Sequence, residues 1–401
     1  MPISAAKERL AEKQIDPKVK YFPKDKRKPY IIKRSCDEVQ GNCPKLDTDS
    51  LIKTSFCKIE DQTKDWRVSS GFPRHPSAIQ GKANLKILVM VFELSDRKYP
   101  LSAYKNLQKE ARETEKLLRR ISNQFITIKF VFPEYDSWTR FKITNEEFNQ
   151  SLENPDKFIS KVLGQGAHLN PSSYDAIYLH TPIGFEAKFR NSYAVGEYDS
   201  LGKPVPLVYQ ATGNVEGFGG YSHGIGHLLF FFEDIYDQRK SGDEFHPSGY
   251  WDLMGAGGRY FAWFMYLNGW ISDDQVQCLP SDLSSATLNL TSTSKLAGKK
   301  LISVLDGPGK LLLIEYRTGH VDEDLLSDGV CNTSGCNGDI HEGLVIYFLD
   351  TTINHLNGPI SVPKQYYSKT MLIGEKVSFK GYQIEFLAKG RKGAYVRVGR
   401  A

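Results

Sequence analysis

The sequence predicts an α+β fold, in which an α/β layer with a histidine-bearing helix precedes a C-terminal β-sandwich. Between residues 85 and 182, apolar strand-like runs alternate with helical segments, the pattern of an α/β layer. After residue 280 helical patterning stops, and short strand-like segments separated by turns cover about 120 residues, which is typical of a sandwich. We therefore predict an N-terminal arm (1–80), a main domain (81–280) and a β-sandwich domain (281–401).

Each element of the first half has its own signal. The arm is polar, with lysine clusters and cysteines, so it is either a loop-rich segment pinned by cysteines or a partly disordered tail. The continuous apolar run at 85–94 predicts a strand covered on both faces. The remaining elements are predicted helices at 104–124 and 154–163, and predicted strands at 126–132 and 174–182.

The second half contains strand signals and turns. The predicted strands are "ATLNLTST", "KLISVL", "KLLLIEYRT", "GLVIYFLD", "KVSFKGYQIEFLA" and "AYVRVG".

Composition excludes several classes of function. The net charge of +5, from 52 basic and 47 acidic residues, is too balanced to indicate nucleic-acid binding. No apolar run approaches the roughly 18 residues of a transmembrane helix. The first residues lack the apolar segment of a signal peptide, whereas six cysteines, five of them locally clustered and Cys278 apart, favour disulfides and an oxidising location.

The stretch "GYSHGIGHLLFFFEDIYD" at 220–237 holds the main candidate site. His223 and His227 are four residues apart, so a helix places both imidazoles on one face, where they can share one zinc ion. An HxxxH pair alone is common and most often structural. Two later segments, "GYWDLMGAGG" at 249–258 and "FAWFMYLNGWI" at 261–271, add to the pattern.

Together these three segments resemble the immune-inhibitor-A type of secreted zinc metallopeptidases, a metzincin-like family. The resemblance implies a zinc-peptidase domain followed by a β-sandwich, with the pattern HExxHxxGxxD, a WDxM turn and an LGW segment. It implies that His223 and His227 are zinc ligands, and that Met254 lies in the turn beneath the metal.

The third ligand stays open between Glu233 and Asp234. The glycine that turns the family's chain back towards the metal is replaced by Phe230. If the helix continued, residue 234 would lie about 10 Å farther along its axis, out of reach of the same ion. The chain must therefore break between residues 228 and 233, although "LLFFF" contains no helix breaker.

Gly224 occupies the position of the family's catalytic glutamate. That carboxylate takes a proton from the zinc-bound water and passes it to the leaving amine, a contribution of about 10²–10⁴ in rate. Glu233 and His246 are the candidate substitute bases, but neither has the family's spacing.

Two functions follow from these residues. The first is a non-catalytic, zinc-binding relative that binds a protein or peptide, or serves in an extracellular or particle-surface assembly. The alternative is a zinc endopeptidase that is weakly active or present as an inactivated form. We also expect a short-loop disulfide between Cys331 and Cys336, while the acidic segments 322–329 and 331–339 are either a calcium site or solvated loops. The aromatic residues around 230 and 260 are predicted to be core, or a protein-binding patch if exposed.

Overall fold

The protein is mixed α and β, with few helices and several sheets, as predicted. A computed structural model describes residues 35–37, 43–63, 68–76, 78–96, 98–99, 101–134, 139–140, 144, 146, 164, 166–180, 192–200, 203–210, 217–255, 257, 259–318 and 342–401. The helix predicted at 154–163, and Cys331 and Cys336 with the calcium-site candidates around them, lie outside the described residues.

The first sheet is mixed, and its strands are arranged in the order β2-β1-β4-β6-β5. Strands β1, β2, β4 and β6 run parallel, β5 is antiparallel to β6 at the edge, and the short β3 pairs with the end of β1. The strands are β1 (Ala83–Glu93), β2 (Ile126–Val131), β3 (Thr139–Arg140), β4 (Ala176–His180), β5 (Ser192–Ser200) and β6 (Lys203–Gln210).

Strand β1 and the helix after it match the sequence prediction. The β1 side chains from Ile87 to Val91 are at most 1% exposed, because both faces of this strand are covered. Helix α1 (Leu101–Ile121) buries its predicted apolar stripe completely or nearly so. That stripe comprises Leu107, Ala111, Leu117, Leu118 and Ile121.

The β5–β6 hairpin was not predicted. We expected no strand between residue 182 and the histidine helix, and this was wrong. Pro204 and Pro206 obscure the pattern, since proline is depleted from strands. Both prolines pair with β5 only, and pairing with β4 begins at Leu207, so the prolines stand outside the doubly paired part of β6.

Helix α2 (Gly217–Phe230) carries both histidines and follows the hairpin. Its sequence, GFGGYSHGIGHLLF, contains five glycines. Each interior glycine costs about 1 kcal/mol of helix stability relative to alanine, so this helix depends on packing rather than on propensity. It packs against α1 and the hairpin. The short helix α3 (Ala262–Leu267) is completely buried.

Two further sheets make up the C-terminal part. The first has the order β12-β11-β10-β9-β7 and the second β13-β14-β15-β8. They contact each other, for example through the rings of Tyr316 and Phe386, whose centroids are 6.2 Å apart. The strands are β7 (Val276–Leu279), β8 (Ser285–Leu290), β9 (Leu301–Leu305), β10 (Lys310–Arg317), β11 (Gly343–Asp350), β12 (Ile360–Ser361), β13 (Lys376–Phe379), β14 (Tyr382–Gly390) and β15 (Gly393–Arg400).

All six predicted C-terminal segments contain strands, with two differences. The segment at 376–388 is two strands, because Lys380 and Gly381 both adopt positive φ and turn the chain. Strands β7 and β12, of four and two residues, were not predicted. Segments this short carry too little alternation to be recognised.

The described part of the arm is fastened to the body of the protein, and the general expectation of disulfides is confirmed, while the specific Cys331–Cys336 pairing lies outside the described residues. Cys57 is bonded to Cys278 of β7, and Cys36 to Cys43. Ile52 forms a bridge with the backbone of Cys278. Among the helices described, none combines the length and apolar character that crossing a membrane requires.

Candidate metal centre

Three side chains converge at the end of α2. The Nε2 atoms of His223 and His227 are 3.0 Å apart. Asp234 Oδ1 is 3.1 Å from the first and 3.0 Å from the second. Of the two alternatives for the third group, the structure thus brings Asp234 to the histidines. The side chain of His223 is 25% exposed and that of His227 10%, so the cluster opens to solvent on the His223 side.

Backbone carbonyls fix the orientation of both imidazoles. His223 Nδ1 is 2.6 Å from the carbonyl oxygen of Leu253, and His227 Nδ1 is 2.7 Å from that of Phe232. Since a carbonyl oxygen only accepts, each Nδ1 carries the proton, and in the neutral ring Nε2 keeps its lone pair. Two nitrogen lone pairs and a carboxylate oxygen therefore face one point. This set of three electron-pair donors requires a cation or a proton between its members.

The ionisation of the carboxyl group agrees with this arrangement. Burial alone would raise the pKa of Asp234, but the two histidines outweigh it and hold that pKa well below its usual range. Burial opposes a charge on His223, yet its hydrogen bond to Asp234 and that carboxylate's charge raise the pKa of His223. Asp234 is thus a carboxylate at neutral pH, as a metal ligand must be.

The chain breaks after Phe230 even though no glycine is present. Phe231 has a φ of +49°, the left-handed conformation in which helices commonly terminate, usually at glycine. The amide of Phe232 then donates to the carbonyl of Gly226 over 3.0 Å. Compared with the family pattern, the turn and the acidic group after it are each displaced by one residue, from 230 to 231 and from 233 to 234.

Glu233 points away from the histidines. Its Oε2 lies 3.8 Å from His355 Nδ1, and its side chain is 4% exposed. Burial raises the pKa of Glu233, with His355 opposing that effect. Glu233 therefore belongs to a separate buried contact and does not join the cluster formed by His223, His227 and Asp234.

Met254 lies directly beneath the histidine helix. A Cβ atom at Gly226 would be 2.4 Å from Met254 Sδ and 3.0 Å from the hydroxyl of Tyr260. Glycine at 226 is what lets this turn approach the helix so closely. The Asp252 carboxylate shapes the turn by accepting from the amides of Met254, over 2.7 Å, and Phe261. Burial raises the pKa of Asp252 to about 7.

Replacing Gly226 with alanine should destabilise the protein. Alanine gains about 1 kcal/mol in helix propensity, but overpacking against the buried Met254 costs about 1–3 kcal/mol. Gly224→Ala, in the same helix, gains the same propensity and is the matched control. We expect the free energy of unfolding, measured in urea, to be lower for Gly226→Ala than for Gly224→Ala. A Gly226→Ala protein more stable than the parent would contradict this packing.

Tyr236 holds the second oxygen of the candidate third ligand. Its hydroxyl donates to Asp234 Oδ2 over 2.9 Å, and its ring stacks on Phe245 at 5.0 Å. Groups that orient a metal ligand in this way commonly contribute 10–100-fold to metal affinity. The rigid stacked ring fixes the direction of the hydroxyl and hence the direction of the Asp234 carboxylate.

Tyr236→Phe should weaken zinc binding by about 10–100-fold with little change in stability, because one hydrogen bond is lost and the ring stays. Competition with a chromophoric zinc chelator measures this affinity. Tyr250→Phe removes a hydroxyl from a ring that packs on His246, and is the control. Equal zinc affinities for Tyr236→Phe and the parent would show that Tyr236 does not orient Asp234.

The other predicted residues have simpler places. Gly224 is buried in α2, next to His223, and places no carboxylate there. His246 packs on the rings of Phe245 and Tyr250, with centroids at 4.7 and 5.9 Å. The aromatic residues around 230 and 260 are core, as predicted, since each is at most 7% exposed. These residues are Phe230, Phe231, Phe232, Tyr260, Phe261, Trp263, Phe264 and Tyr266.

Comparison with known proteins adds no family to this picture. No protein-family model matches the chain, and no curated protein matches it.

Proposed function

We propose that this protein is a metallopeptidase-like zinc-binding protein that does not hydrolyse peptides. The observation that carries the proposal is the convergence of His223 Nε2, His227 Nε2 and Asp234 Oδ1, with mutual distances of 3.0–3.1 Å. Around a tetrahedral zinc ion, ligand atoms at about 2.0–2.1 Å are about 3.3 Å from one another. The three atoms therefore need to move apart by only a few tenths of an ångström to hold the ion.

The donor set suits zinc with one open position. Two imidazole nitrogens and one carboxylate oxygen form the three-ligand arrangement of catalytic zinc sites, whose remaining position is taken by water or another ligand. Zinc, when bound, would supply a Lewis acid at the solvent-facing side of the cluster. The Leu253 and Phe232 carbonyls would keep each imidazole in the correct tautomer for it.

The absence of hydrolysis follows from Gly224. Peptide hydrolysis at such a site needs a group beside the metal that accepts a proton from water and later donates one to the amine. Glycine has no side chain for either transfer. Glu233, the acidic candidate for a substitute base, is directed towards His355 instead. We therefore propose a binding role, with a protein or peptide as the ligand or assembly partner.

The proposed domain organisation of the protein follows the family resemblance. The first sheet with α1 and α2 would be the metallopeptidase-like domain, and the two C-terminal sheets the β-sandwich. The disulfides Cys57–Cys278 and Cys36–Cys43 support an extracellular or particle-surface location, because such bonds persist in oxidising compartments.

Metal content and proteolysis, measured together, test the proposal. Protein purified without chelator should contain about one zinc per chain, and dialysis against a chelator should remove it. Neither form should cleave casein. Chelator-sensitive cleavage by the parent would replace the proposal with its alternative, an active zinc endopeptidase. Absence of bound zinc at saturating metal would reject both.

A further inference from the structure

The arm supplies hydrogen-bond donors to the end of the histidine helix. The Arg74 guanidinium, buried with its residue 7% exposed, donates to the carbonyls of Phe230 and, over 2.8 Å, Ser69. The amide of Ser69 donates to the carbonyl of Phe231 over 2.9 Å, and that of Ile79 to Leu229 over 2.7 Å. Three consecutive carbonyls at the end of α2 are thus satisfied from residues 69–79.

These carbonyls are the ones that a longer helix would use. In a continuing α-helix, the carbonyls of residues 229, 230 and 231 would accept from the amides of residues 233, 234 and 235. Donors from the arm occupy them instead, and the amide of Ile235 donates to the carbonyl of Met254 over 3.1 Å. The contacts of the arm therefore favour the turned chain over the continued helix.

The turn needs this support because its sequence does not favour it. Left-handed backbone at a residue with a Cβ costs roughly 1–2 kcal/mol, and Phe231 has no glycine-like freedom. Arg74 also lies over the ring of Phe232, 5.2 Å from its centroid. A guanidinium that bonds two carbonyls and packs on the next ring fixes the path of the chain through residues 230–232.

We infer that Arg74 is a positioning residue for the metal centre, acting through the turn at Phe231 that brings Asp234 to the histidines. This inference rests on the proposed zinc site. Without the turn, Asp234 would lie about 10 Å farther along the helix axis, beyond the reach of an ion held by His223 and His227. Residues 69–79 of the N-terminal arm are thus part of the site, because they support the turn that positions a ligand.

The direct test is zinc affinity in Arg74→Lys, which keeps the charge and most of the stem but loses the planar pair of donors. We expect affinity to fall at least tenfold, the usual effect of losing a group that orients a ligand. Lys58→Met is the control, because Lys58 fastens the arm to Asp273 over 2.8 Å, away from the turn. It should leave zinc affinity unchanged. If the parent binds zinc and Arg74→Lys binds it with the same affinity, this inference is overturned, whereas the proposed zinc site is not.

A metal-free readout keeps the inference testable even if the parent binds no zinc. Hydrogen exchange at the Phe232 amide, bonded to the Gly226 carbonyl, should be faster in Arg74→Lys than in the parent. The Ser122 amide, bonded to Leu118 at the end of α1, should be unaffected. Equal exchange at Phe232 in the two proteins would show that Arg74 does not hold the turn.

A second substitution separates the effect of Arg74 on the turn from any other effect of this side chain. In the Arg74→Lys background, Phe231→Gly should recover part of the zinc affinity, because glycine adopts positive φ without a Cβ penalty. Thermal stability should fall at the same time, since a buried ring is lost. A recovered affinity in a less stable protein is not expected from a purely structural role. No recovery would show that Arg74 acts on zinc affinity by a route other than the turn at Phe231, and would overturn the inference.

Discussion

Asp234→Ala should lose zinc affinity by more than about 100-fold, whereas Glu233→Gln should bind zinc like the parent. Removing a ligand costs more than removing a group that orients one, which already costs about 10–100-fold. The two positions are adjacent and both are buried, so the comparison isolates ligand geometry from general disturbance of the core.

The Glu233 side chain also makes a suitable control for chemical reasons. Because burial raises its pKa, a neutral amide of the same shape is tolerated there. Isothermal titration calorimetry, in which zinc is added to metal-free protein, measures the zinc affinity of both variants. The reverse result, with affinity lost in Glu233→Gln and kept in Asp234→Ala, would mean that the third ligand is Glu233 and that the chain rearranges when the metal binds.

Gly224→Glu should give the protein chelator-sensitive peptidase activity, and the parent should show none. The residue after the first histidine is where the family that the sequence resembles keeps its carboxylate, and a general base contributes about 10²–10⁴ in rate. The substitution should also stabilise α2 by up to about 1 kcal/mol, by removing an interior glycine. Cleavage of casein, before and after addition of a chelator, is the measurement.

Gly224→Gln is the matched control, because its side chain has the same length but cannot take a proton from water. It should bind zinc and remain inactive. A zinc-loaded Gly224→Glu variant without activity would show that the missing base is not what prevents catalysis. A zinc-free variant would show that the metal site is absent and that the histidines serve only packing.

The local patterns in the sequence were sufficient for most of the strands, for α1 and for the pair of histidines. The buried run at 85–94, the stripe of α1 and the i, i+4 spacing of His223 and His227 each depend on residues close in sequence. The β5–β6 hairpin was not predicted because two prolines interrupt its strand pattern. The pairing of Cys57 with Cys278, across 221 residues, depends on the fold and not on spacing.

The choice between Glu233 and Asp234 also could not be made from the sequence. It depends on the turn at Phe231, which contains no glycine, and on donors from Ser69, Arg74 and Ile79, more than 140 residues earlier in the chain. Gly226, by contrast, could have been noticed. A second glycine between the two histidines is costly for a helix and indicates that another segment approaches closely there.

Anomalous diffraction at the zinc edge, from crystals of the parent protein soaked in zinc, tests the central claim most directly. We predict one peak about 2.0–2.2 Å from the Nε2 atoms of His223 and His227 and from Oδ1 of Asp234. A peak coordinated by other residues, or density in which the three side chains bond one another with no ion between them, would contradict a zinc site at the end of the histidine helix.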